Sequence, residues 1–595
     1  MRDDSGRDLN TVEAEEEFMD SVDRSYLESV HFALNQVGPH GEPTSYRQAM
    51  GSAESGEWYT AIQDEFASLK KMEVWDVVPR PEDHTVVGRK WVFRKKTNAN
   101  GDVVRFKARL VAKGYTQIPG MDFSDTHAPV TRLETLHLLL ALAVQYDWEI
   151  RQIDVKTAYL YGNLDEEIFM EAPEGLEVPE GHVLHLKKAL YGLRQAGRQW
   201  YKKLKSTLEK FGCVQVLCEP NTFVVRKVIK GQPCVLILPI YVDDLMPMGD
   251  KAMTNLFELN IGKYFDTTPP TDATLFLGIQ LTRNRTANPP FLELDQFHYV
   301  TESLAKLDHD HSLNTTPLLV TERLQPNSEP KENANPDCVR QYQVLIGTAM
   351  WLMLGTHPDL AFAVGKLARF SSNPAPEHFA MVDRLYNYIY WSADFALRFT
   401  KQDNPTPPIC YTDADFANDR SDQISVSGYV FTAFGTPVSW SSKKQKEVAT
   451  STAEAEYTAI FHASQQAFWI RQFAEEIGYA LTEPLRVYTD STTALAIAKG
   501  TQAHTRSKHI DIRYHKIRER VTNKVIELVY VRSKDNLADI MTKQLSRSAH
   551  HKALVALGFN IDEDTPISPP EPSNNNAEEQ EVSQLLGDDE EEEES

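Results

Sequence analysis

Tyr241-Val242-Asp243-Asp244 lies between two apolar runs, Val235–Tyr241 and Leu245–Gly249. Two adjacent carboxylates at the tip of an apolar hairpin are costly unless a cation sits with them. The pattern therefore asks for an antiparallel sheet with acids at its rim. Ile150-Arg151-Gln152-Ile153-Asp154 reads as a second strand ending in an acid, with the chain leaving through Val155–Tyr159. Acids held on a rigid edge suit hard divalent cations, which take oxygen ligands and in pairs clamp a phosphoryl-transfer reaction. Pro239 and Pro247 flank the tip. Proline removes a backbone donor and sits poorly inside a sheet, so a distorted hairpin is expected.

A second set of acids follows. Ile409–Asp415 reads as a strand running into Asp413 and Asp415, with further strands at Ser427–Phe434 and Pro437–Ser441. Ser451-Thr452-Ala453-Glu454 is a capping box opening a helix, which gives Glu454 a structural role. Glu456 stands two residues on, roughly 200° around the helix, so only one of the two glutamates can face a neighbouring sheet. Glu456 is assigned to the site. Val487–Ser491 is another strand-to-helix junction, where Asp490 either caps the helix or joins the acids. Asn536–Asp539 is expected on a helix capped by Asp535.

The 595 residues ask for several domains. Net charge is −23, but residues 1–57 account for −9 and residues 562–595 for −14, leaving a neutral body. Basic side chains there can cluster along a phosphate backbone. The acidic ends read as solvated, disordered tails. Cys213, Cys218, Cys234, Cys338 and Cys410 form no zinc-spaced set and suit a reducing compartment. No apolar run reaches membrane-spanning length, and the N-terminus has no secretory apolar core. Lys90–Lys96 and Val103–Ala112 read as strands joined through Asn100-Gly101. Leu133–Trp148 reads as a buried helix and Tyr299–Leu307 as a short one. Arg506, Lys508, His509, Arg513, His515, Lys516, Arg518 and Arg520 form a basic run, either a solvated helix face or a nucleic-acid surface.

Tyr241–Asp244 in this setting resembles the reverse-transcriptase palm signature. Lys107–Gln117, Gln152–Tyr159, Leu190–Gln195 and Trp200-Tyr201 resemble further motifs of the copia-type retrotransposon Pol family, in family order. Tyr411–Ala417, Ser427–Val430, Ser451–Tyr457, Lys508–Arg513 and Asn536–Lys543 resemble that family's ribonuclease H region. The resemblance covers roughly Gln48 to Arg547. His357-Pro358-Asp359 departs from it, standing where Arg-Pro-Asp is usual.

The resemblance implies an α+β multidomain protein: a right-hand palm and fingers polymerase followed by a ribonuclease H-like mixed α/β domain. Expected boundaries are 1–45 acidic tail, 46–265 fingers and palm, 266–400 thumb or connection, 401–558 ribonuclease H-like and 559–595 acidic tail. It implies RNA-directed DNA synthesis and hydrolysis of RNA in RNA–DNA hybrids. Asp154, Asp243 and Asp244 in one site, and Asp413, Glu456, Asp490 and Asp539 in the other, would each hold two Mg²⁺, with Mn²⁺ as a substitute. Tyr159 would exclude a ribose 2′-OH. Arg194 and Gln195 would grip nucleotide and template, Lys107 and Arg109 the triphosphate, and Lys508, His509 and Arg513 the hybrid. Expected partners are an RNA template, a DNA primer, the hybrid, deoxynucleoside triphosphates and other retroelement products, with no membrane. The expected place is a cytoplasmic particle or the nucleus. No protease Asp-Thr-Gly and no integrase zinc set occurs in the sequence, so the chain reads as the downstream part of a polyprotein. A noncatalytic, nucleic-acid-binding relic and a ribonuclease H-only protein are the rival readings.

Overall fold

The computed structural model describes residues 42–97, 103–305, 313–320, 324–417, 422–498 and 508–561. Most of the expected N-terminal tail and nearly all of the C-terminal one lie outside these residues. So does the Asn100-Gly101 turn. Glu42, within the first expected tail, is bound: its carboxylate meets Arg94 at 2.6 Å and the Lys95 amide at 2.7 Å.

Helix α1 (Ser55–Lys71) packs on a two-stranded ribbon, β1 (Arg89–Thr97) and β2 (Val103–Ala112). Trp58 anchors it, edge-on to Phe93 and Phe106 with centroids 5.2 and 4.7 Å away. Glu65 accepts from the Leu110 amide at 3.2 Å. The apolar side of the ribbon is thus covered.

Helix α2 (Leu133–Gln145) is buried from Thr135 to Val144 all round, because layers lie on both sides. One is the sheet of β3 (Glu149–Asp154), β4 (Thr222–Ile229), β5 (Gln232–Tyr241) and the short return segments β6 (Asp244–Leu245) and β7 (Met248–Gly249). The other is the second large sheet: Leu136, Leu139 and Ile237 share one core with Phe431, Val438 and Ile460. A helix apolar on every face needs such two-sided cover. It ends three residues before the expected Trp148. Asp147 turns left-handed (φ 54°), and the Trp148 amide bonds back to the Ala143 carbonyl at 2.9 Å. Trp148 therefore belongs to the core as the lead into β3, not as helix.

Helix α3 (Ala196–Phe211) closes the first sheet's other face through Trp200, Leu204 and Leu208. Then come a meander, β8 (Ile279–Asn284), β9 (Phe291–Asp295) and β10 (Leu397–Thr400), a helix at Phe297–Ala305 and the long helices α4 (Pro336–Gly355) and α5 (Pro376–Trp391). His357 keeps the His-Pro-Asp departure structural: it pairs with Asp359 at 3.3 Å, both buried, and Tyr388 donates to the other Asp359 oxygen at 2.6 Å.

The second large sheet runs β13-β12-β11-β14-β15, with β11 (Ile409–Asp415), β12 (Val426–Ala433) and β13 (Thr436–Lys444) antiparallel and β14 (Leu485–Thr489) and β15 (Ile526–Tyr530) parallel to β11. Helices α6 (Thr452–Glu476), α7 (Thr492–Ala498) and α8 (Lys508–Thr522) flank it, followed by α9 (Asp539–Thr542) and α10 (Arg547–Ala556). The C-terminal end of α6 docks on the first sheet. Trp469 donates to the Cys218 carbonyl at 3.3 Å and lies under Arg132 at 5.3 Å. Glu476 accepts from the Leu217 and Cys218 amides.

Candidate active sites

The return segments β6 and β7 lie between β5 and β3. Tyr241 faces Asp244, Ile240 faces Leu245, and Ile237 faces Met248, so one register runs through both prolines. The expected distortion is confined to lost bonds. Met246 still donates to the Pro239 carbonyl at 3.2 Å, and Arg151 to that of Pro247 at 3.0 Å. The proline ring splits the return strand into two pieces without shifting it.

That register sets Asp244 directly opposite Asp154. Val242 turns left-handed (φ 57°), and Trp200 Nε1 holds its carbonyl at 2.6 Å. The Val155 amide bonds the Asp243 carbonyl at 2.9 Å, which ties the hairpin tip to the end of β3. Burial raises the Asp243 carboxyl above the usual range, with Asp154 adding to the effect and Arg109 and Lys107 opposing it. Burial pushes Asp244 up to about 6, helped by Asp243 and Asp154. Two half-buried carboxyls raised by burial and by their neighbours, with Asp154 directly opposite, form an oxygen donor set that fits divalent ions.

Lys107 and Arg109 share one face of β2. Arg109 lies 4.4 Å above the Tyr191 ring, which meets Tyr159 edge-on at 4.8 Å. Tyr159 sits in a tight turn, Ala158–Tyr161, entered through left-handed Thr157. Burial and then Asp243 raise its hydroxyl's pKa, placing the ring beside that acid.

Arg194 and Gln195 are engaged elsewhere. Gln195 is fully buried, donates to the Asp122 carbonyl at 2.8 Å and accepts from Gln117 at 3.1 Å. Arg194 donates to the Gly114 carbonyl at 3.2 Å, and its amide meets Gln117 Oε1 at 2.9 Å. Both brace the segment 114–122, and Gln117, which sequence reasoning missed, is the link. Gly114 and Gly192 make this junction possible: a Cβ on either would lie 2.1 or 2.2 Å from the other strand's carbonyl oxygen.

In the second site, Asp413 on β11, Glu456 on α6 and Asp490 after β14 bring carboxylate oxygens within 4.8 Å of one another. Glu454 takes the cap, accepting from the Thr450 amide at 2.7 Å, while Glu456 turns to the sheet. Ser491 caps α7 through the Ala494 amide at 3.2 Å, so Asp490 is not spent on that role. It accepts instead from Ser533 at 2.5 Å. Asp539 opens the short helix α9. The expected cap by Asp535 is corrected: Asp535 closes a separate turn and pairs with Arg532 at 2.9 Å. Asn536 does the fastening, accepting from the Ala538 amide at 3.2 Å and donating to the Thr412 carbonyl on β11 at 3.1 Å. Thr542 donates to Asp413.

Burial, then Asp413 and Asp490, push Glu456 up to about 9, and one of its oxygens is buried without a hydrogen-bond partner. Burial lifts Asp539 to about 6. The orphaned oxygen and the crowded acids fit divalent ions here too. A carboxyl raised in the folded state stabilises the fold fully below its unfolded pKa and loses that advantage as pH rises through the folded value. In EDTA the melting temperature should therefore fall between about pH 5 and pH 9, and added Mg²⁺ should restore more of it at pH 9 than at pH 6. Melting curves with and without EDTA read this directly; equal slopes would show that Glu456 is not strained.

The basic run divides. Lys508, His509 and Arg513 lie on α8, with side chains outside the described residues, as is all of Arg506. Arg518 and Arg520 are not surface cations. Arg518 donates to the Ile497 carbonyl at 3.1 Å, and Arg520, buried, donates to Ser464 at 2.7 Å. The helix turns them onto α6 and α7.

Residues 72–319 match the family model described as reverse transcriptase (RNA-dependent DNA polymerase). Among curated proteins, the chain is 36% identical over 530 residues to the retrovirus-related Pol polyprotein from transposon TNT 1-94 of Nicotiana tabacum, covering 87% of this chain and 39% of that protein. The chain thus spans about two fifths of that relative. Among solved structures, the foamy viral protease-reverse transcriptase bound to double-stranded DNA overlaps 80% of this chain and 69% of its own at 11% identity and a TM-score of 0.41. LC11-RNase H1 with an RNA/DNA hybrid overlaps 23% of this chain and 94% of its own at 19% identity and a TM-score of 0.19. By sequence, residues 72–319 of this chain match the reverse transcriptase family model, and most of the chain is similar to retrovirus-related Pol polyproteins of plant transposons.

Proposed function

We propose that the chain is an RNA-directed DNA polymerase that also hydrolyses the RNA of RNA–DNA hybrids. The observation that carries this reading is the presence of two separate carboxylate sets, one at a hairpin tip and one on a mixed sheet, with burial raising carboxyls in both. Asp154, Asp243 and Asp244 would hold Mg²⁺ for synthesis. Asp413, Glu456, Asp490 and Asp539 would hold it for hydrolysis, with Mn²⁺ as a substitute. Bound Mg²⁺ supplies neutralising charge and an activated oxygen nucleophile.

The chain's own residues do the positioning. Lys107 and Arg109 meet the triphosphate of a deoxynucleotide. Tyr159, beside Asp243, covers the sugar where a 2′-OH would stand. Arg194 and Gln195 hold the loop that borders the template. Lys508, His509 and Arg513 present α8 to the hybrid. Residues 46–265 form fingers and palm, 266–400 the thumb or connection, and 401–558 the ribonuclease H-like unit. RNA template, DNA primer and other retroelement products are the proposed partners, in a cytoplasmic particle or the nucleus. Among the described residues, no helix is long and apolar enough to cross a membrane.

The test is one protein assayed twice. A labelled DNA primer on an RNA template should be extended, and a labelled RNA in a hybrid should be cut. Both should need Mg²⁺ and stop with EDTA. A folded chain that binds hybrid but does neither would overturn the reading.

A further inference from the structure

Lys543 adds a cation to the second carboxylate cluster, and neither the motifs nor the spacing singles it out. Its Nζ lies 2.8 Å from Asp539 and 3.9 Å from Asp413. The Asp413 oxygen it approaches is Oδ2, which also accepts from the Thr542 hydroxyl. Lys543 stands at the C-terminal end of α9, where the backbone turns extended. Its side chain is 37% exposed, whereas that of Asp413 is 5% exposed. The ammonium thus reaches inward from solvent to acids that cannot move out to meet it.

We propose that Lys543 is a built-in counter-ion that holds Asp413 and Asp539 together before divalent ions arrive and gives way when they bind. It is a positioning residue that sets metal affinity, and the inference rests on the metal-binding reading above. A lysine ammonium is a compact point charge on a flexible stem, so it can pair with these oxygens and still withdraw. A divalent ion bound through the same oxygens would stand within a few ångströms of the ammonium and repel it strongly at low dielectric. The two cations therefore compete. The population with Lys543 in place is closed to metal, and the apparent metal affinity is reduced by the fraction that is open. Thr542 keeps Asp413 oriented in either state, because its hydrogen bond needs no change of charge.

The experiment uses the full chain carrying Asp243→Asn and Asp244→Asn, which silence the first cluster. Mg²⁺ uptake is measured by calorimetric titration without nucleic acid, and melting temperature is measured in EDTA. Lys543→Met should bind Mg²⁺ about tenfold more tightly and melt lower in EDTA, because four acids then lack their counter-ion. Lys543→Arg keeps the charge in a forked group that grips carboxylates in pairs, so it should bind Mg²⁺ more weakly than the parent. It also serves as the readout if the methionine variant does not fold. Uptake that is lost in Asp490→Asn but unchanged in both Lys543 variants would overturn the proposal and leave the metal reading standing. No uptake by the parent, or uptake indifferent to Asp490→Asn, would overturn the metal reading and the proposal with it.

Discussion

Asp243→Asn is expected to lower primer extension by about 10³-fold, the usual scale for removing one charge from a phosphoryl-transfer site, which corresponds to about 4 kcal/mol. Asparagine keeps the shape of the side chain, and the backbone bond from Val155 to the Asp243 carbonyl is untouched, so the hairpin should hold. What is lost is the negative charge that Arg109 and Lys107 face and that a cation would need. The fold should not suffer. Removing one of three mutually repelling carboxylates relieves strain on Asp244, which is pushed up to about 6. The variant should therefore melt in EDTA at or above the parent's temperature. Cleavage of a labelled hybrid should stay within about twofold, because the second acid set is built on other strands, joined to the first sheet through apolar core and the C-terminal end of α6. Retained extension would sink the assignment of Asp243. Loss of both activities with a lowered melting temperature would mean that the tip is a structural joint.

The two acid sets were legible because chemistry and period coincide there. Asp243-Asp244 breaks an apolar strand, so burial and charge conflict in plain text, and Asp154 stands at the end of a second strand. Helical geometry likewise separates Glu454 from Glu456, and the structure gives the first a cap bond to Thr450 and the second a place beside Asp413. The expected capping by Asp535 failed for a related reason. Four residues of α9 are too short to show a period, no side chain caps it, and the turn before it is fastened by Asn536, whose other partner, Thr412, lies 124 residues away. Gln117 was illegible in the same way: it serves Arg194 and Gln195, some 77 residues on. The all-round apolar text of α2 announces burial but cannot say that a second sheet supplies half of it. Arg518 and Arg520 show the opposite error. A basic run reads as surface until the helix turns two of its members onto buried acceptors.

Glu456→Gln separates catalysis from stability most sharply. Its carboxyl is pushed up to about 9, first by burial and then by Asp413 and Asp490, and one oxygen lacks a partner. At pH 8 in the absence of metal, the parent must either bury a third negative charge or take up a proton. A glutamine does neither. The variant should melt higher than the parent in EDTA at pH 8, and the gain should vanish by about pH 3, where the glutamate is protonated in the folded and the unfolded chain alike. Added Mg²⁺ should stabilise the variant less than the parent. Hybrid cleavage should fall by about 10³-fold, with primer extension unchanged. Asp413→Asn should lose as much cleavage with a smaller gain in melting temperature, because it also gives up the charge-assisted bond from Thr542 and the ion pair with Lys543. A Glu456→Gln protein that melts lower in EDTA at pH 8 would show that the carboxylate is a satisfied structural group, and the cluster would then have to be built without it.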